Sequence, residues 1–211
     1  MSVPPRVVLL HGLWMPAFSM SVLGHRLRSV GFAPESHAWT PRREGVAEAA
    51  ARLASDLGNP FPTLFVGHSL GGRLAVALAA RAEGQLTRVV ALGTPFAGSL
   101  AARRLARVGP GRWLLRSASA DVTGPWADAV PDGCELGIVA GTRPLGLGRL
   151  VTGVGRPGDG TVRIDETRQV GNSGWIELPV THMSMLASGR VAAAVAGFLR
   201  NGKFPVNIHN L

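Results

Sequence analysis

Thr63-Leu64-Phe65-Val66-Gly67-His68-Ser69-Leu70-Gly71-Gly72-Arg73-Leu74-Ala75 is the stretch whose reading decides the fold. An apolar, β-prone run stops at a Gly-x-Ser-x-Gly and reopens in helix-forming residues, which predicts a strand, a sharp turn and a helix in succession. A serine at the apex of such a turn sits in strained backbone, and glycine at Gly67 and Gly71 leaves room for neighbouring chain to approach. The helix opening near Leu70 points its free N–H groups and positive dipole end at any oxyanion formed beside Ser69. The stretch therefore reads as a nucleophile elbow. Composition alone would place this pattern in roughly one in five chains this rich in glycine. The weight rests on where it sits, between a strand and a helix.

Working outward, Arg6-Val-Val-Leu-Leu10 is an apolar run suited to a buried parallel strand, and it delivers His11-Gly12-Leu13-Trp14 to the sheet's edge. Ser19 to Ser29 is expected to be helical, with Gly31 as its stop, followed by a short strand near Ser36 to Trp39. A helix from about Arg43 to Leu57 follows Thr40-Pro41, and the elbow helix is expected over Leu70 to Glu83. Arg88 to Leu92, Glu135 to Ala140 and Asn172 to Pro179 are the later strands, and Arg190 to Leu199 is the closing helix. This alternation predicts one domain, 1–211, of α/β class, with a three-layer, doubly wound, mostly parallel sheet.

His-Gly after the first core strand, then Gly67-His68-Ser69-Leu70-Gly71, resembles the α/β-hydrolase family, in particular small bacterial lipases and esterases. Gly93-Thr94-Pro95-Phe96-Ala97-Gly98-Ser99 is similar to a Leu-Gly-Thr-Pro-His-x-Gly-Ser stretch of bacterial lipases and of inositol deacylases, with Phe96 where histidine is usual. The resemblance implies a minimal α/β-hydrolase fold with a small helical cap after the strand ending near Leu92. It implies an oxyanion hole from the backbone N–H groups of Leu13 and Leu70. Pro157-Gly158-Asp159-Gly160-Thr161-Val162 resembles the family's acid loop, which implies Asp159 as the triad acid. Asp165, Glu166 and Asp132 compete with it; the first two read as exposed positions in a helical turn, whereas glycines flank Asp159 and free it to turn. The family's order of Ser, acid, His implies His182, directly after the last strand, as the base. His11 reads as a turn histidine bonded to its own loop, His68 abuts the nucleophile, His25 and His37 fall on a helix and a strand, and His209 lies in a tail. The implied catalytic set is Ser69, His182 and Asp159.

Residues 98–133 are expected to form the cap. Within them Leu100 to Ser119 reads as an amphipathic helix broken at Gly109-Pro110-Gly111, carrying Arg103, Arg104, Arg107, Arg112 and Arg116 without an acid. The arginines read either as a solvated face or as a contact for an anionic surface, a phosphate or an acidic acyl carrier. Trp14, Met15, Phe18, Phe96, Trp113 and Met183 are placed near the cleft and suit an aliphatic acyl chain. Gly141 to Gly158 is a long loop, and 201–211 a tail without a functional reading.

A net charge of +9 arises almost entirely from arginine. No run of adjacent basic residues exceeds two, which argues against nucleic-acid binding. The single cysteine, Cys134, cannot make an internal bridge, and the start of the chain lacks the apolar region of a signal peptide, so a cytoplasmic protein is expected. No cofactor or metal is required by this chemistry, and no Cys/His spacing suggests a zinc site. The functions in view are a carboxylester hydrolase, an acyl thioesterase or acyltransferase on the same triad, and a catalytically silent fold used as a binding module.

Overall fold

The computed structural model describes residues 3–58, 60–82, 84–145 and 157–206. Strands β1 (Arg6–Leu10), β2 (Ala33–His37), β3 (Leu64–His68), β4 (Thr87–Leu92), β5 (Cys134–Gly141) and β6 (Gly174–Leu178) form one six-stranded sheet in the order β2-β1-β3-β4-β5-β6. Every pairing is parallel.

Successive strand residues face opposite sides, and both sides are buried. Val8, Leu10, Phe65, Val89, Leu136 and Ile138 join one core with helices α2 (Val46–Leu57) and α3 (Leu70–Ala79). Val7, Leu9, Val66, Val90, Val139 and Leu178 join the other with α1 (Ser21–Ser29) and α7 (Gly189–Asn201). This is why the strands read as continuous apolar runs rather than alternating ones. Three layers and a doubly wound, parallel sheet agree with the sequence reading.

The strand order reverses between β1 and β3, since the chain steps outward to β2 and then returns to the far side of β1. In open α/β sheets, ligands bind in the crevice at the carboxyl ends of the strands at such a switch point. The loops leaving β1 and β3 are the ones carrying Gly12-Leu13 and Ser69.

Several boundaries differ from expectation. The second strand lies at Ala33–His37, earlier than Ser36 to Trp39. The elbow helix ends at Ala79, because Arg81 and Ala82 N–H bond three residues back, to Leu78 and Ala79, and tighten the chain into turns. Residues 98–133 contain α4 (Leu100–Ala106), α5 (Gly109–Leu115) and α6 (Ala118–Thr123). The expected break is present, at Arg107-Val108 between α4 and α5, and Gly109-Pro110 opens the second helix, since proline in a first turn removes only an N–H that had no helical partner. Residues 119–123 belong to α6. Of the long loop expected over Gly141 to Gly158, residues 146–156 lie outside the described residues, as do 207–211 of the tail, including His209. No helix among the described residues is long and apolar enough to cross a membrane.

Candidate active site

Ser69 sits between β3 and α3 with φ 54 and ψ −126, a backbone that non-glycine residues rarely hold. Close packing enforces it. A Cβ on Gly67 would collide with the backbone of Gly71 and Gly72, and one on Gly71 would lie 2.6 Å from the His11 carbonyl oxygen. The elbow is thus pressed onto the end of β1. The Ser69 N–H donates to the Leu92 carbonyl (2.8 Å), and its own carbonyl accepts from Thr94 Oγ1 (2.8 Å) and Gly72 N (3.0 Å).

Gly12 faces the serine directly: a Cβ there would lie 2.8 Å from Ser69 Cβ. The following N–H, of Leu13, has no hydrogen-bond partner among the described residues, and neither has that of Leu70 at the start of α3. Two free donors thus lie on the segments flanking the serine. The His11 ring holds the donor loop: Nδ1 donates to the Gly12 carbonyl (2.9 Å), Nε2 accepts from Trp39 N (3.4 Å), and the Trp39 indole donates to the His11 carbonyl (2.9 Å). Burial pulls the His11 pKa down, which keeps the ring neutral in this role. The loop-bonding role read for His11 is the observed one.

Behind β5, Asp159 is fully buried, and its carboxylate is used on both sides. Oδ1 accepts from Thr161 N (2.9 Å) and Val162 N (2.7 Å), while Oδ2 accepts from His182 Nδ1 (2.7 Å). The two residues are also joined through the backbone, His182 N to Asp159 O at 2.9 Å. Gly93, at φ 56 just after β4, makes room for them, since a Cβ there would lie 2.9 Å from Asp159 Oδ2 and 3.1 Å from His182 Nδ1. Ser69 Oγ makes no hydrogen bond to a described residue.

The competing acids are elsewhere. Glu166, expected to be exposed, is buried: Oε1 accepts from Leu100 N (2.5 Å) at the start of α4 and Oε2 from Arg163 N (2.8 Å). It ties the Asp159 loop to the start of α4, and burial raises its pKa. Asp165 is exposed and paired with Arg163 (2.8 Å), and Asp132 makes no contact with the histidine.

Two buried polar residues make contacts that the sequence reading did not assign to them. His68, wholly buried, has its ring centroid 4.5 Å from that of His182, and its Nε2 donates to the His182 carbonyl (2.9 Å). Burial, and next the neighbouring His182, lower its pKa to about 3, so it holds the loop as a neutral ring. Arg73, buried within the apolar elbow helix, donates to the carbonyls of Pro95, Phe96, Asp121 and Gly124 and lies over the Trp126 ring. Burial lowers its pKa to about 10, leaving it charged. The arginine amid Leu70-Gly-Gly-Arg-Leu-Ala was the signal.

Of the residues expected near the cleft, Trp14, Phe18, Trp113 and Met183 are exposed, and Met15 is half-buried against the second core. Phe96 is a correction: it is 1% exposed and packed in the first core, so it presents no surface to a ligand. The position after Pro95 faces inward because its carbonyl is held by Trp126 N and Arg73. A cleft of about 490 Å³ is lined by Arg143, Val180, Ser184 and Arg190, and none of the expected apolar residues lines it. No cluster of metal-ligating side chains occurs among the described residues.

No family model and no curated protein matches this sequence. Solved structures match over nearly the whole chain. The mature lipase BlEst2 of Bacillus licheniformis is 18% identical with a TM-score of 0.69, covering 96% of this chain and 93% of its own. A pyrethroid hydrolase of Sphingobium faniae is 14% identical with a TM-score of 0.62, over 93% of this chain and 98% of its own. A monoacylglycerol lipase of Paleococcus ferrophilus is 17% identical with a TM-score of 0.58, over 94% and 96%.

Proposed function

We propose that this chain, which has the α/β-hydrolase fold, is a serine carboxylester hydrolase that cleaves an aliphatic acyl ester through an acyl-enzyme. The observation that carries the reading is the buried Asp159–His182 hydrogen bond of 2.7 Å at the strand edge where Ser69 stands on strained backbone. Fold alone would not support it, since one fold hosts many activities.

The roles follow from the protons. With Nδ1–H given to Asp159, the imidazole of His182 offers the Nε2 lone pair as base. Ser69 Oγ attacks the ester carbonyl as Nε2 takes its proton, and the Leu13 and Leu70 amides receive the oxyanion. His182 then protonates the leaving oxygen, the alcohol departs, and water repeats the cycle to release the acid. Ser–His hydrogen bonds of this kind are often long without substrate and tighten when it is in place. The single free cysteine accords with a cytoplasmic setting.

Labelling with a fluorophosphonate tests the reading. The wild-type protein is expected to label at Ser69 and to hydrolyse short nitrophenyl esters, and Ser69→Ala to do neither. A folded wild-type protein that takes up no label and turns over no ester would mean a silent fold used for binding.

A further inference from the structure

On α5, Trp113 is 59% exposed, and two guanidinium groups lie over its ring, Arg42 at 5.0 Å and Arg116 at 5.1 Å from the centroid. The two charges therefore stand within about 10 Å of one another, a mutual repulsion that a shared anion would relieve. Neither side chain has a hydrogen bond or an ion pair with a described residue, and Arg42 Nε is shut off from solvent without a partner. Buried donors are normally satisfied. Of the other arginines over rings, Arg73 and Arg200 direct donors to backbone carbonyls, whereas Arg168, over Trp175, makes no side-chain hydrogen bond to a described residue.

Backbone strain links this pair to the reaction centre. Among the described residues, Trp14, Ser69 and Arg116 are the non-glycine residues with positive φ, and Arg116 (45, −125) nearly repeats the conformation of Ser69 (54, −126). Such backbone persists only where surrounding structure enforces it, and it gathers at functional sites. Their neighbours along the chain meet: the Trp14 indole donates to the carbonyl of Leu114 (3.3 Å), two residues before Arg116, and Gly12, two residues before Trp14, lies against Ser69.

We propose that Arg42 and Arg116, presented on Trp113, form a phosphate-recognising subsite at the entrance to the Ser69 site, and that the substrate's leaving group carries a phosphate. The inference rests on the hydrolase reading above. An aliphatic acyl chain bears no phosphate, so the charge must belong to the alcohol or thiol. Arginine forks suit phosphate oxygens in paired hydrogen bonds, and stacking on an indole fixes their planes beforehand. The phosphate can come from a lysophospholipid headgroup or from a phosphopantetheine thioester such as acyl-coenzyme A.

Four substrates of equal acyl length separate these sources in two matched pairs: lysophosphatidic acid against monoacylglycerol, and acyl-coenzyme A against the acyl thioester of N-acetylcysteamine. The wild-type protein is expected to prefer the phosphate-bearing member of one pair by about tenfold or more in kcat/KM, through KM, and that pair names the source. In Arg42→Gln/Arg116→Gln the preference collapses toward one, while Arg42→Lys/Arg116→Lys restores part of it. A wild-type preference near one in both pairs, or a preference that survives the double substitution, overturns the subsite. Calorimetry with coenzyme A and glycerol 3-phosphate reads the subsite apart from turnover. Binding of either, lost in the double variant, supports it even if no substrate is cleaved and the hydrolase reading falls. Binding of neither overturns it.

Discussion

Replacing Asp159 by asparagine tests the proton arrangement at small structural cost. The Oδ1 of asparagine can still accept from Thr161 N and Val162 N, now 2.9 and 2.7 Å from the carboxylate. On the other side an amide –NH2 replaces the oxygen that faces His182 Nδ1 at 2.7 Å. An amide nitrogen only donates, so Nδ1 must become the acceptor and the proton moves to Nε2. The imidazole then meets Ser69 with an N–H and cannot take its proton. A loss on the order of 10⁴ in kcat is expected, about 5.5 kcal/mol of barrier. Folding should suffer little, since weakening two charge-assisted bonds to neutral ones costs about 1–2 kcal/mol. That is a fall of roughly 2–8 °C in Tm for a domain of this size. Alanine would confound the experiment: it strands two buried N–H groups at about 1–3 kcal/mol each. Steady-state hydrolysis of a nitrophenyl ester, with a thermal melt followed by circular dichroism, measures both effects. A kcat within tenfold of wild type would refute the assignment. Glu166 offers no escape, because both its oxygens are engaged, by Leu100 N and Arg163 N.

Two further outcomes follow from the same geometry. Ser69→Gly and Ser69→Ala should both be inactive, but the glycine variant should melt about 2–4 °C higher, because it relieves roughly 1–2 kcal/mol of strain at φ 54 and forfeits less than that in chain entropy; equal or reversed Tm values would show that the backbone there is not strained. For His68, the folded pKa of about 3 lies below its ordinary 6.5, so as pH falls the unfolded chain takes the proton first. Stability therefore declines from about pH 6.5 toward pH 3, with a slope from this ring approaching about 1.4 kcal/mol per pH unit. Urea unfolding across that range should show a shallower slope in His68→Asn, whose amide can still donate to the His182 carbonyl while His11 remains unaltered in both proteins; identical slopes would contradict the assignment.

What was legible in the sequence is what depends on neighbours along the chain. The elbow could be read because Gly67, Ser69 and Gly71 constrain one another within five residues, and the strands because burial on both faces leaves uninterrupted apolar runs. Asp159 and His182 could be reached from the order of loops, although they are 23 positions apart. The contacts that hold these residues in place span greater distances and leave little local trace. His68 supports His182 across 114 positions, and Leu100 N meets Glu166 across 66. An acid in a polar turn gives no sign that a helix end elsewhere will bury it. Phe96 was misplaced for a similar reason, since whether it faced cleft or core depended on Arg73 and Trp126 pinning its carbonyl.

Those long-range contacts also hold the three helices of residues 98–133 against the rest of the fold. α4 is tied to the acid loop by Glu166, and the end of α6 to the elbow helix by Arg73, whose guanidinium cannot leave four carbonyls without stranding a buried charge. Asp121, on α6, in addition accepts from Val46 N (2.9 Å) at the start of α2. Two of the three helices in residues 98–133 are therefore fastened to the parts that carry Ser69 and Asp159. α5 is held differently, by Leu115 in the core and by one indole-to-carbonyl bond of 3.3 Å from Trp14. The helix that presents Trp113 is also packed on α4, where a Cβ on Gly111 would collide with the Leu105 carbonyl, and its hydrogen bond from Trp14 runs to the loop that carries Gly12 and Leu13. A ligand drawing Arg42 and Arg116 together would act on the Leu114–Trp14 contact, and so on the N–H of Leu13. On the functions proposed above, recognition of the leaving group and placement of the oxyanion donor would be joined through the Trp14–Leu114 hydrogen bond.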